Sequence, residues 1–150
     1  MTAVHEMMST SPVTVGPATS VGDLLALFDR HDFNAFPVLD EHNRLLGIVS
    51  KLDLLELFLA DDASTGAATG GVGTTRVEDL MHHEIVSVEA RDPLSAAGAL
   101  MLATKLRSLP VVERQDDRLM LVGILSRGDI LRGLRFQLVE GSYVRQVPES

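Results

Sequence analysis

The chain has 150 residues, of which 45% are hydrophobic and 23% charged, and it carries a formal net charge of −8. That length implies one compact domain or two very small ones sharing a core, and the absence of cysteine excludes disulfides, thiolate metal sites and cysteine nucleophiles. So acidic a chain does not suit a polyanionic duplex, which leaves no nucleic-acid role expected but still admits a small phosphate-bearing ligand held by a few local cations.

Its apolar runs are too short to span a bilayer, and the N-terminus lacks a charged segment followed by an apolar one. No membrane association is expected, and a cytoplasmic location follows as the default. Aromatics are only 4%, so the core must come from Leu, Val, Ile, Met and Ala.

The elements follow in chain order. Pro12-Val13-Thr14-Val15 is a short β-rich run. Val21, Leu24, Leu25, Leu27 and Phe28 form a helical stripe, with Ser20 as N-cap and Asp23 three residues on. Phe36 to Leu39 is a strand, Asp40-Glu41-His42-Asn43 a turn and Leu45 to Val49 a second strand, a hairpin pattern. A second helix opens near Ser50 and carries Leu54, Leu55, Leu57 and Phe58. Ser64 to Thr75 holds four Gly, four Thr and no charge, the composition of a flexible tether.

Beyond the tether the chain repeats itself. Val4-His5-Glu6-Met7-Met8 returns as Val77-Glu78-Asp79-Leu80-Met81, and Phe36-Pro37-Val38-Leu39 as Leu109-Pro110-Val111-Val112, at one offset of 73. An insertion of three residues near Gln115-Asp116-Asp117 moves the offset to 76, after which Gly47-Ile48-Val49-Ser50-Lys51-Leu52-Asp53 matches Gly123-Ile124-Leu125-Ser126-Arg127-Gly128-Asp129. In the second copy Asp92-Pro93 supplies an N-cap and an N1 proline. The boundaries expected are a first repeat at 1–62, a Gly/Thr linker at 63–75, a second repeat at 76–137 and a tail at 138–150. Each unit reads β-α-β-β-α and is too small to bury a core comfortably alone. An α/β (α+β) protein of two repeats packed sheet to sheet, with pseudo-two-fold symmetry, solves that problem.

The chemistry concentrates where the second helix of each repeat begins. Gly47 and Gly123 weaken their strands unless a backbone or a ligand comes close. Ser50 with Asp53, and Ser126 with Asp129, read first as capping pairs that need no ligand. Their duplication, and the base that follows each serine (Lys51, Arg127), add a second reading. A helix N-terminus with a cation suits phosphate, and an aspartate suits a vicinal diol. Together they fit a nucleotide.

On these residues the chain resembles the CBS domain family, named after cystathionine β-synthase. The resemblance rests on the Met7-Met8 segment before Pro12-Val13-Thr14-Val15, the Pro37-Val38 strand and Gly47-Ile48-Val49-Ser50-Lys51-Leu52-Asp53, each recurring in the second copy. It covers roughly 4–60 and 77–136, a tandem pair or Bateman module. The resemblance implies a regulatory module, not an enzyme. It would bind an adenosine-containing ligand (AMP, ADP or ATP, or S-adenosylmethionine or an NAD-type ligand) in clefts between the repeats. It assigns the ribose hydroxyls to Asp53 and Asp129, and ribose or phosphate contacts to Ser50 and Ser126. The adenine edge falls to the backbone at Val13 and Val86. The pocket lining falls to Asn34, Ala35, Phe36 and Pro37 in one copy and to Arg107, Ser108, Leu109 and Pro110 in the other. Lys51 and Arg127 stand beside the serines as cations for phosphate. Arg107 faces Asn34 in the alignment and Gly128 faces Leu52, so the second site is expected to favour more phosphate.

No catalytic residue and no catalytic cofactor is assigned. A homodimer is expected, reporting to a separate effector protein. The alternatives are an interaction module with empty clefts and a regulatory fragment of a larger enzyme or transporter. His82-His83-Glu84 reads as a solvated loop and not as a metal site, since adjacent residues on an extended segment point apart. The remaining arginines of the second half read as ordinary surface.

Overall fold

The computed structural model describes residues 2–63 and 71–139. It is a mixed α/β protein, as expected. The elements are α1 (Val4–Met7), α2 (Val21–Arg30), β1 (Ala35–Leu39), β2 (Leu45–Ser50), α3 (Lys51–Ala63), α4 (Gly71–Thr74), α5 (Val77–Leu80), β3 (Val88–Glu89), α6 (Leu94–Thr104), β4 (Ser108–Gln115), β5 (Arg118–Ser126) and α7 (Arg127–Val139). β1 and β2 pair antiparallel, and β3, β4 and β5 form a second sheet in that order.

Local chemistry accounts for most of these bounds. Ser20 caps α2, its hydroxyl accepting from the Asp23 N–H at 3.1 Å. The β1–β2 turn is held by Asp40, whose Oδ1 accepts from the His42 and Arg44 amides at 2.8 and 2.9 Å, with Asn43 at φ 66°, where asparagine is tolerated. Desolvation raises the Asp40 pKa, but the Arg44 and His42 amides lower it further, so the carboxyl lies below its ordinary range.

Three expectations are corrected. The run Pro12–Val15 contributes only a single parallel bridge, Val15 with Val38, because Pro12 at its start and Gly16-Pro17 just beyond it interrupt the ladder. Pro93 itself is the N-cap of α6, and Asp92 instead accepts from the Glu89 N–H at 2.9 Å. Within the expected linker, Gly71–Thr74 is a helical turn whose Val72 packs on a core, while 64–70 lie outside the described residues. At the other end α7 continues to Val139, two residues into the expected tail, and 140–150 lie outside the described residues.

The chain forms two compact units that cut across the repeats. Of the described residues, one unit contains 2–12, 86–113 and 122–139; the other contains 13–63, 71–85 and 114–121. In the first, Val4, Met7, Leu94, Ala97, Met101, Leu109, Val111 and Leu125 build the core. In the second, Val15, Leu24, Phe28, Phe36, Val38, Val49, Leu54 and Val77 do so. The opening helix of each repeat is thus built into the unit holding most of the other repeat.

Corresponding hydrogen bonds fix both exchanges. Val4 N–H donates to the Asp92 carbonyl as Val77 N–H donates to that of Thr19, and His5 to Ala90 as Glu78 to Pro17. Ser9 then bridges Ile124, and His82 bridges Ile48. The boundaries 1–62 and 76–137 describe the duplication, whereas the compact units trade their opening segments. The three-residue insertion lengthens the β4–β5 hairpin, and its tip pairs in the second unit through a bridge between Arg44 and Met120.

Candidate functional site

The two strand glycines are explained by that exchange. A Cβ at Gly47 would lie 2.6 Å from the His82 carbonyl oxygen, and one at Gly123 2.7 Å from that of Ser9. The close neighbour is therefore backbone, the segment Met81-His82 in one unit and Met8-Ser9 in the other. This approach brings position 82 to the start of α3.

At that start Ser50 and Asp53 cap each other. The Ser50 N–H donates to Asp53 Oδ2 at 2.7 Å, the Ser50 hydroxyl to the same oxygen at 3.0 Å, and the Asp53 N–H to Ser50 Oγ at 3.3 Å. The Lys51 N–H donates to the Asn34 carbonyl at 2.9 Å. α7 repeats the plan: Ser126 N–H to Asp129 Oδ2 at 2.7 Å, Asp129 N–H to Ser126 Oγ at 3.2 Å, and Arg127 N–H to the Arg107 carbonyl at 3.1 Å. The capping reading and the ligand reading therefore use different oxygens, since the caps occupy Oδ2 of each aspartate and leave Oδ1.

Each Oδ1 has a basic partner. His82 Nε2 stands 2.6 Å from Asp53 Oδ1, and because the carboxylate accepts, Nε2 carries the proton in this contact. The Arg132 guanidinium donates to Asp129 Oδ1 at 2.5 Å. Both carboxylates are buried, Asp53 at 6% and Asp129 at 8% exposure, and burial of a charge is tolerated where it is paired and hydrogen-bonded. His82 is exposed in its loop, with 64% of its side chain accessible, but it is not free there, and its pairing with Asp53 is not visible from spacing alone. Arg132, one turn after Asp129, is at a pairing distance that the sequence does display.

The remaining expected residues divide. Asn34 and Lys51 come together with Ser50 and Asp53, and Arg107 and Arg127 with Ser126 and Asp129. The side chains of Phe36 and Leu109 are wholly buried in the two cores, and Pro37 and Pro110 are buried too, so these four offer no side-chain surface as they stand. Ala35 and Ser108 are half-buried in β1 and β4. Val13 packs on the core of its unit, whereas Val86 is exposed.

The two cations after the serines have local roles as well. Lys51 Nζ sits 5.9 Å from the Phe28 ring centroid, a cation–π contact. Arg127 donates through Nε to the Leu106 carbonyl at 3.2 Å and through Nη2 to that of Lys105 at 3.0 Å. A groove of about 670 Å³ runs along α2 and α3 past Leu25, Phe28, Lys51 and Phe58, without including Ser50 or Asp53. Among the described residues no cluster of three or more His, Asp and Glu could hold a metal, and no helix is long and apolar enough to cross a membrane.

The CBS domain family model matches residues 4–60 and 77–135. The chain belongs to the CBS domain family, as a tandem pair. It is 33% identical over 141 residues to the CBS domain-containing protein CBSX2, chloroplastic, of Arabidopsis thaliana, covering 79% of this chain and 56% of that one. A crystal structure of CBSX2 in complex with AMP is 34% identical, with TM-score 0.74, covering 91% of this chain and 99% of that chain. A putative acetoin utilization protein (AcuB) from Vibrio cholerae is 29% identical, with TM-score 0.73, and the match covers 99% of both chains. The chain spans between about a quarter and just over half of the length of the first curated relatives it matches.

Proposed function

We propose that the chain is a regulatory module that senses an adenine nucleotide and has no catalytic role of its own. The observation that carries this reading is the 34% identical CBSX2 structure, matched over nearly its whole length and bound to AMP. The duplicated capped carboxylates support it. Asp53 and Asp129 accept from the ribose hydroxyls, Ser50 and Ser126 contact ribose or phosphate, and the backbone at Val13 and Val86 meets the adenine edge. Lys51 serves phosphate at the first site, and Arg107 and Arg127 at the second. The second site favours more phosphate, because exposed Arg107 takes the place of Asn34.

Binding biases one state of the module over another by no more than the ligand's differential affinity for them, and a separate effector protein reads that state. Self-association into a homodimer is part of the same proposal. α3 exposes Leu52, Leu55, Phe58 and Leu59, and α7 exposes Leu131, Leu134 and Phe136, more apolar surface than a solvent-facing helix usually presents. The span of only part of the relatives' length favours a second reading, in which the same module regulates a longer chain.

Calorimetric titration with AMP and ATP tests the proposal. The intact protein binds AMP, and a ligand at 100 times its Kd raises stability by about 2.7 kcal/mol. Asp53→Ala and Asp129→Ala each remove one site, the second costing more ATP affinity than the first. Absence of binding by AMP, ADP and ATP alike would instead favour an interaction module.

A further inference from the structure

We propose that His82 is a built-in competitor for the Asp53 site, one that lowers its affinity for a nucleoside by holding the carboxylate oxygen a ribose diol needs. The inference rests on the reading of Asp53 as a ribose ligand. Its basis is a difference between the two halves of the duplication. The backbones of His82 and Ser9 do the same thing: the His82 N–H and carbonyl bond Ile48 at 2.8 and 3.0 Å, and those of Ser9 bond Ile124 at 2.9 Å each. The side chains do not. His82 reaches Asp53 Oδ1 at 2.6 Å, whereas Ser9 makes no such bond and Asp129 Oδ1 is met by Arg132.

The position matching Arg132 in α3 is Glu56, an acid that cannot pair with Asp53. The base at the first site therefore comes from outside the helix. The two bases also differ in what else they can reach. Arg132 is 59% exposed and His82 64%, so either can turn into solvent, but the long Arg132 side chain on the same helix can also reach toward a phosphate.

His82 has only two side-chain torsions, and its backbone is pinned on both sides of the peptide by Ile48 and pressed against Gly47. It shields a carboxylate that is itself 6% exposed. With Oδ2 held by the Ser50 amide and hydroxyl, a diol that bonds Asp53 through Oδ1 competes with the imidazole for that oxygen. The duplication thus yields one site whose base can turn to serve a phosphate and one whose base can only give way to the ligand.

The test is calorimetric titration of AMP into the full chain, with Asp129→Ala present so that only the Asp53 site remains. His82→Ser places there the residue that position 9 already carries on the same backbone pairing. It is expected to tighten AMP about tenfold, equal to about 1.4 kcal/mol. His82→Gln keeps a donor within reach of Asp53 and is expected to retain the weaker affinity. Melting curves without ligand establish that each variant is folded. If AMP binds and His82→Ser leaves affinity unchanged or weakens it, the competitor role is overturned while the nucleotide reading stands. If AMP binds only after His82→Ser, the role is upheld in its strongest form. If neither the unmodified chain nor any variant binds AMP, the nucleotide reading falls and the competitor role falls with it.

Discussion

At the residue scale, each aspartate of the duplicated motif does two jobs with two oxygens. Oδ2 closes the cap of its helix, and Oδ1 faces a base. Removing the carboxylate should therefore cost stability as well as binding. Asp53→Asn keeps an acceptor for the Ser50 amide but loses the charge that His82 meets, so it should melt above Asp53→Ala, by about 1 kcal/mol on the scale of a helix cap. Thermal melts of the two variants without ligand check this. Asp40 gives a pH-dependent counterpart. Its carboxyl lies below the ordinary range because desolvation, which raises it, is outweighed by the two turn amides together with the charges of His42 and Arg44. A depressed carboxyl contributes stability that is complete above its unfolded pKa and is lost as pH falls through the folded one. Acid titration of stability should show a smaller loss for Asp40→Ala than for the unmodified chain over that window.

At the element scale, the strand glycines decide whether the neighbouring segment can lie down. A methyl at Gly47 would meet the His82 carbonyl at 2.6 Å, and one at Gly123 that of Ser9 at 2.7 Å. Both partners are backbone and have little room to give. Gly47→Ala and Gly123→Ala should each destabilise by about 1–3 kcal/mol, the usual cost of overpacking, measured by chemical denaturation. Gly47→Ala should further alter AMP affinity by moving His82, which Gly123→Ala should not do at the same site. α3 and α7 both begin on Ser-base-x-Asp, and both continue with apolar side chains on more than one face. One face is explained by the cores, through Leu54 and Leu57 in α3 and Ile130 in α7. The other is what the proposed homodimer would cover, and Phe58→Glu or Leu131→Glu should reduce the mass measured by light scattering from dimer to monomer.

At the scale of the whole molecule, the exchange of opening segments makes a prediction that the repeat alone would reverse. Val4 is fully buried in the core with Leu94, Ala97 and Met101, and Val77 in the core with Leu24 and Phe28. Val4→Ala removes two buried methyl groups and should cost about 2 kcal/mol. Amide exchange should rise in Leu94–Thr104 and not in Val21–Arg30. Val77→Ala should do the opposite. Exchange confined to the helix of the same repeat in either variant would contradict the two-unit partition.

The duplication, the helix–hairpin–helix order within each repeat, and the capping serines and aspartates were all determined by the sequence. Each depends on local spacing or on one half of the chain resembling the other. Ser20 with Asp23, the Asp40–Asn43 turn and the start of α3 at Ser50 need only neighbours within four residues. What only the tertiary structure decided is where distant segments meet. Strand glycines signal a close approach but not by what, and only the folded chain shows that Met81-His82 and Met8-Ser9 fill that space. The pairing of His82 with Asp53, 29 residues apart, has no local signature, since it follows from a backbone bridge to Ile48 and not from any side-chain pattern. Pro12–Val15 has β-rich composition, yet Pro12 at its start and Gly16-Pro17 just beyond it leave it one bridge, because a ladder needs donors that proline lacks. Local interactions repeat wherever the residues repeat, whereas His82 and Ser9, on equivalent backbone, separate the two sites because only one of them carries a ring long enough to reach its aspartate.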